Sequence, residues 1–160
     1  MAIFRMEENH GDPLNRDNSR NIKNTERYLY NCGGYALGIF SWYCPHDEDD
    51  VDEYGYFDYT FEDYYEAYEK TMYCVAKMVL DFEGRLRLVQ SLSKVHSDEV
   101  AIAFRLSSDG DFHYIKKTKG GWYHKRGSSY CIERMTEADV FETKWCGRYD
   151  GPTVLLAMKN

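Results

Sequence analysis

The chain has 160 residues, of which 43% are hydrophobic and 16% aromatic, and its net charge is −7. This composition is too apolar for a disordered chain, and no apolar run approaches the roughly 20 residues that cross a bilayer. Between Tyr28 and Glu69 there are eleven acidic residues and no Lys or Arg, which argues against a general nucleic-acid binder. We therefore expect one domain, residues 1–160, that has neither nucleic acid nor a membrane as its partner.

The N-terminal third divides into a polar arm and a short helix. Residues 1–25 are rich in Asn and Arg, lack the apolar stretch of a secretory signal, and predict an irregular arm of a cytoplasmic protein. The run from Gly34 to Tyr43 predicts a helix that starts near Asn31, because an Asn side chain can accept a free N–H at a helix start.

An acidic segment, residues 47–58, follows this helix. Its run of carboxylates indicates either a solvated loop or a site for a hard cation such as calcium. The spacing of the carboxylates does not match an EF-hand loop, so the solvated loop is the preferred interpretation.

The clearest helix is predicted over residues 61–82, with Thr60 as its cap, Asp63 in a capping box and Gly84 as its stop. Its apolar residues recur at helical spacing and predict the buried face. These residues are Phe61, Tyr65, Tyr68, Met72, Ala76, Val79 and Phe82.

The second half of the chain changes to a period of two. Strands are predicted at 85–90, 99–106, 111–117, 122–127 and in the final PTVLLAMK, with SSDG and TKGG as turns. A helical first half followed by strands predicts an α+β fold.

The five cysteines are odd in number and contain no CxxC pair, which indicates free thiols that mostly pack in the core. Cys32 differs, because it stands at the predicted helix start before Gly33 and Gly34. A helix N-terminus favours the thiolate, and the glycines leave room for a substrate carbonyl beside N–H groups that can bind an oxyanion. Cys32 is therefore the candidate nucleophile.

Two histidines on the predicted hairpin provide candidate partners. If Lys117 faces Trp122, then His113 and His124 lie on one sheet face as diagonal neighbours, about 7–8 Å apart. Such a pair suits a general base and the group that orients it. Two other interpretations stay open: metal ligands acting with Cys32 or an acidic residue, and polar residues on a hydrated sheet face.

The segment NCGGYAL resembles the Asp-Cys-Ser-Gly-aromatic-Val segment of NlpC-type papain-like cysteine peptidases and amidases, and DFHYIKKTKGGWYHKRG is similar to phage and bacterial relatives. The resemblance implies a nucleophile helix packed on an antiparallel sheet, with Cys32, His113 and His124 as the triad. It leaves Tyr30 and Asn24 as candidates for the oxyanion site. Asn31 and Gly33 replace the Asp and Ser of the family.

We therefore expect a cysteine amidase or peptidase that works through a thioester, without a metal or other cofactor. Gly33 and Trp122 are expected at the cleft. The substrate would be a peptide or another amide, and the family suggests a cell-wall peptide. The alternative is a papain-like module that binds a protein or small molecule without catalysis. The sequence leaves the oligomeric state open.

Overall fold

A computed structural model describes residues 19–21, 29–118, 120–127 and 131–159, with the backbone alone at 19–21 and 131. These residues form a seven-stranded sheet in which every neighbouring pair of strands is antiparallel. The strands are β1 (Ser19–Asn21), β2 (Leu86–Val89), β3 (Glu99–Ser107), β4 (Asp111–Thr118), β5 (Gly121–Lys125), β6 (Cys131–Met135) and β7 (Val154–Lys159). Their order across the sheet is β1-β6-β5-β4-β3-β7-β2.

Within the described residues, three helices accompany the sheet: α1 (Cys32–Leu37), α2 (Tyr64–Asp81) and α3 (Glu137–Glu142), with a 3-10 turn at Leu92–Lys94. The predicted α+β class is confirmed at this level, as an antiparallel sheet with few helices. Among the described residues, no helix combines the length and the apolar character that a bilayer crossing requires.

The sheet is covered on both sides, so two apolar layers alternate along its strands. On β4, Phe112 and Tyr114 belong to one buried cluster and Ile115 to another. We call the side that carries α1 and α2 the helix face, and the side that carries α3 and residues 145–149 the turn face. Burial on both faces explains why β3 is almost continuously apolar, since both sets of alternating residues lie in a core.

Helix α1 is short because its two ends are fixed. The Asn31 side chain accepts the N–H groups of Gly34 and Tyr43, at 2.9 and 3.0 Å, and donates to the Tyr43 carbonyl at 2.9 Å. Gly38 adopts φ 74° and closes the C-terminus. The predicted N-cap is confirmed, but the expectation that the helix continues towards Tyr43 is wrong.

Helix α2 starts three residues later than predicted. Asp63 is the N-cap and accepts the N–H of Glu66 at 2.8 Å, whereas Thr60 bonds to the Asp58 carboxylate. Both residue types can cap a helix, and here the local bond to Asp58 occupies Thr60.

The predicted buried face of α2 is confirmed in part: Phe82 is buried, and Phe61, Met72 and Val79 pack against the helix-face core. Tyr65 and Tyr68 are 72% and 49% exposed. The residues that pack on the sheet are Ala67, Thr71, Cys74, Val75 and Met78. Smaller side chains let the helix approach the sheet, while the tyrosines keep their hydroxyl groups in water.

Three elements were not expected from the sequence: β1, β6 and α3. Strand β1 lies inside the predicted irregular arm, whose other residues are outside the described ones, and pairs with β6. Loop 47–58 contains neither helix nor strand, and its Asp52 carboxylate accepts the N–H groups of Tyr54 and Tyr56.

We expect Asn31→Ala to lower the free energy of unfolding by about 3 kcal/mol, because it leaves two buried N–H groups and a carbonyl without their side-chain partner. Asp63→Ala removes one exposed cap bond and should cost about 1 kcal/mol. Urea unfolding of the two variants measures the difference. Equal losses would contradict a special role for Asn31.

Candidate active site

His113 on β4 and His124 on β5 are in direct contact on the turn face. His113 Nε2 lies 2.8 Å from His124 Nδ1, the ring planes meet at 88°, and each side chain is 2% exposed. Lys117 pairs with Trp122, which is the register that the alternation argument requires. The hairpin turn is shorter than predicted, because Thr118 and Gly121 also pair, but this leaves the register unchanged.

The ladder between β4 and β5 is confined to three pairs, from Thr118–Gly121 to Lys116–Tyr123. Beyond it, β5 continues to pair with β6, and β4 with β3. Backbone groups of β4 that would otherwise bond to β5 are therefore available to other partners near His113.

Cys32, the first residue of α1, lies beside the part of β4 that does not pair with β5. The backbone N–H groups of Gly33 and of Tyr114, the residue after His113, lie near its Sγ and favour the thiolate. Among the described residues, no hydrogen bond joins this thiol to His113 or His124: Cys32 belongs to the buried cluster of the helix face, whereas both imidazoles lie on the turn face. The N–H groups of a strand lie close to the plane of its sheet. The thiol therefore reaches β4 from the helix face at strand level, beside the backbone of His113.

Burial dominates the protonation of Cys32. The thiol is 5% exposed, and desolvation raises its pKa to about 12 although the Tyr114 and Gly33 N–H groups favour the thiolate. The Asp111 carboxylate adds to the increase. In this closed arrangement Cys32 is a neutral thiol at pH 7.

Both imidazoles are also neutral at pH 7. Burial holds the pKa of His113 well below its usual value, with a further decrease from His124, Arg126 and Arg148. Burial, followed by the charge of Arg126, lowers the pKa of His124 to about 4. The contact between the two rings is therefore a hydrogen bond between neutral imidazoles, in which one nitrogen donates and the other accepts.

The turn at residues 145–149 covers the histidine pair. The Tyr149 ring stacks on His113 at 4.9 Å, and the Trp145 ring approaches it edge-on at 6.3 Å. The Tyr149 hydroxyl donates to Asp111 at 3.1 Å, and Arg148 donates to the same carboxylate at 2.7 Å.

Arg105 on β3 anchors the turn at residues 145–149 to the sheet. Its guanidinium donates to the carbonyls of Val140, Thr143 and Tyr149 and lies 4.4 Å from the centre of the Trp145 ring. Arg105 on β3 is the register partner of His113 on β4. The residue that anchors the covering turn therefore lies directly beside the candidate base.

Tyr30 and Trp122 belong to buried clusters other than that of Cys32. Tyr30 is fully buried in a cluster with Tyr35 and Tyr123. Trp122 is 2% exposed and packs edge-on against Phe141, so in this arrangement it fills the core. The hypothesis that Trp122 shapes a cleft stays a prediction. Asn24 lies outside the described residues.

Gly33 has a structural as well as a local chemical role. A Cβ at this position would lie 3.0 Å from the Tyr114 ring and 3.0 Å from the Tyr43 carbonyl oxygen. A larger residue would move α1 away from β4, so the glycine permits the close approach that brings Cys32 to the Tyr114 N–H.

Cys146 is the residue at this site that sequence reasoning did not select. Among the described residues, its Sγ forms a group with nitrogens of His113 and His124 in which all three atoms lie within 4.8 Å of one another. The motif WCGR predicts at most a turn, and nothing in its spacing relates it to the distant hairpin.

No family model matches the chain, and no curated protein or solved structure is significantly similar to it.

The histidine pair predicts a specific dependence of stability on pH. In the unfolded chain His124 titrates near 6.5, and in the folded protein near 4, so the unfolded state binds more protons between these values. The contribution of His124 should be constant above pH 7, and stability should fall by up to about 3 kcal/mol as the pH decreases from 6.5 to 4.

Urea unfolding between pH 8 and pH 4 checks this prediction. We expect His124→Asn to show a shallower decrease, since only His113 then resists protonation. The comparison at pH 8, where the imidazoles are neutral in both states, separates this effect from any loss of packing. An equal slope in the two proteins would contradict it.

Proposed function

We propose that this chain is a cysteine amidase or peptidase with an NlpC-type papain-like fold. In this proposal Cys32 is the nucleophile, His113 is the general base and His124 is the positioning residue that orients it. The fold is supported by a helix that begins with a cysteine and packs on an antiparallel sheet.

One observation carries the proposal. The sulfur of Cys32 lies near the backbone N–H of Tyr114, the residue after His113, and Nε2 of the His113 imidazole hydrogen-bonds to His124. A thiol, a base and a group that fixes the base are the parts that nucleophilic cysteine catalysis needs. Residues that lie 81 and 92 positions apart from Cys32 in the chain supply them.

The contacts of His124 favour one arrangement of protons. Its Nε2 lies 3.9 Å from a carboxylate oxygen of Glu133, which favours a proton on Nε2 and leaves Nδ1 as an acceptor. His113 then donates through Nε2 and carries its lone pair on Nδ1. In this tautomer His113 Nδ1 is the nitrogen that can take a proton from Cys32.

The reaction follows from these roles. The Cys32 proton moves to His113 Nδ1, and the sulfur attacks the amide carbon while N–H groups at the start of α1 stabilise the oxyanion. His113 then returns the proton to the leaving amine as the C–N bond breaks, which leaves a thioester. Water, deprotonated by His113, attacks the thioester, and the thiol leaves as the acid forms.

The substrate class we propose is a peptide or another amide, and the resemblance to NlpC-type enzymes favours a cell-wall peptide. The thiol and both imidazoles are at most 5% exposed, so an amide reaches them only when the cover moves. Residues 145–149 are the segment whose displacement exposes His113.

The burial of Cys32 favours a second candidate function. A thiol whose pKa is raised to about 12 is a poor nucleophile, as expected of a papain-like scaffold that binds a partner without catalysis. The two candidates differ in whether His113 activates this thiol.

Cys74 provides a matched internal control for a labelling experiment. Its side chain is 0% exposed and its pKa is also raised to about 12, but among the described residues no histidine influences it. We expect iodoacetamide to modify Cys32 at least about 100-fold faster than Cys74 at pH 7, because a general base contributes rate factors of this size. Mass spectrometry of the digested protein, with a chelator present, measures both rates.

In His113→Gln the preference for Cys32 should disappear while the folded structure, followed by circular dichroism, persists. Equal and slow labelling of Cys32 and Cys74 in the unaltered chain would contradict the proposed enzyme and support the binding module.

The positioning role of His124 predicts rescue by a conservative change. His124→Ala removes the acceptor for His113 Nε2–H, which frees the ring to rotate, and should slow Cys32 labelling by about 10-fold or more. In His124→Asn an amide oxygen can accept the same proton, so much of the rate should return. If His124 had only a structural role, the two variants would differ in their free energies of unfolding, and these differences would not correlate with the labelling rates of Cys32.

A further inference from the structure

The turn that covers the histidines places a third ligand-type atom beside them. Sγ of Cys146 and one ring nitrogen each of His113 and His124 all lie within 4.8 Å of one another. The two imidazoles are buried and Cys146 is exposed, so the group has a solvent side from which an ion can enter.

The backbone at Cys146 is unusual for its residue type. Among the described residues, Cys146 is the one non-glycine with positive φ, at 54°, and Gly147 follows with φ 68°. The N–H of Arg148 donates to the Trp145 carbonyl at 2.9 Å, which closes a four-residue turn. Two central residues with positive φ define a type I′ turn, where Asn, Asp and Gly are preferred.

A cysteine at this position therefore has a conformational cost that an asparagine avoids. Strained residues of this kind persist where their side chain has a task. Here the turn directs a thiol at two imidazoles, and sulfur and imidazole nitrogen are the ligands that Zn²⁺ prefers.

We propose that His113, His124 and Cys146 form a binding site for a thiophilic divalent cation, with Zn²⁺ as the best match. Ligand atoms around tetrahedral zinc lie roughly 3.3 to 3.6 Å apart. The two nitrogens, now at 2.8 Å, would separate by about half an ångström, and the sulfur would approach. Binding replaces the thiol proton, which is released to solvent, and leaves a fourth position for water.

The surrounding charges are compatible with a cation. Arg126 pairs with Glu133 at 3.1 Å, and Arg148 pairs with Asp109 and Asp111, each at 2.7 Å. These carboxylates offset the two guanidinium charges that face the site. Glu133 also lies near the second nitrogen of His124, where carboxylates commonly orient a metal-bound imidazole.

The ion would act as an inhibitor at this site, a consequence that rests on the proposed function, whereas the binding itself does not. Zinc takes the lone pair of His113 Nε2, which places the remaining proton on Nδ1. This is the nitrogen that would accept the Cys32 proton. The same ion ties the covering turn to β4 and β5, so the metal-bound protein is closed and has no base.

Cobalt provides a direct test, because thiolate ligation of Co²⁺ produces a charge-transfer band in the near ultraviolet. The protein is stripped with a chelator, dialysed, and titrated with Co²⁺ and then with Zn²⁺. We expect one equivalent of each to bind, with the thiolate band present and about one proton released per ion.

Two variants assign the sulfur. Cys146→Asn gives the turn a preferred residue, so it should melt at the same or a higher temperature, yet it should lose the thiolate band and bind Zn²⁺ about 100-fold more weakly. Cys32→Ala should keep the band and the affinity. A band that survives Cys146→Asn, or no stoichiometric binding in the unaltered chain, would overturn the proposal.

Iodoacetamide labelling of Cys32 separates this proposal from the proposed enzyme. Zn²⁺ should suppress labelling in the unaltered chain and not in Cys146→Asn. If Cys32 lacks selective reactivity in the chelated protein, the enzyme proposal fails while the cobalt spectra still decide the metal site.

Discussion

The early end of the ladder between β4 and β5 is the constraint on which the candidate site depends. If β4 and β5 were paired along their whole lengths, the Tyr114 N–H would be used within the sheet. Because the ladder stops at Lys116–Tyr123, the Tyr114 N–H lies outside it and is close enough to the Cys32 sulfur to favour the thiolate.

Two buried lysines hold the helix and the preceding chain at this place. Lys116 donates to the carbonyl of Tyr35 in α1 at 3.2 Å, and Lys125 donates to the carbonyl of Tyr30 at 2.7 Å. A buried ammonium group requires acceptors, and the carbonyls of the last turn of a short helix require donors. Each therefore satisfies the other, and Cys32 is fixed relative to β4 by more than apolar packing.

The sequence predicts the parts of this arrangement that depend on short-range periodicity. Strand alternation and a tight turn determine that His113 and His124 share a face, because both lie within a single hairpin. The sequence predicts the start of a helix less well where two residues of similar capping propensity lie close together. Thr60 and Asp63 can both cap α2, and the contact of Thr60 with Asp58 decides between them. Cys146 is beyond such reasoning, because a turn over 20 residues from His124 comes to the histidines only through the packing of the sheet.

The two shared histidine positions, His113 and His124, cannot serve acid–base chemistry and metal binding at once, and the reason lies in the imidazole protons. A neutral His113 has one lone pair. With the proton on Nε2, His113 donates to His124 and its Nδ1 is basic; with an ion on Nε2, the proton moves to Nδ1 and the base is lost. Burial favours both the metal-free and the metal-bound arrangement, because it disfavours a charged imidazole and would strengthen a thiolate–metal bond. In the two proposals, the occupancy of Nε2 by a proton or by an ion therefore decides whether His113 keeps a basic nitrogen for Cys32.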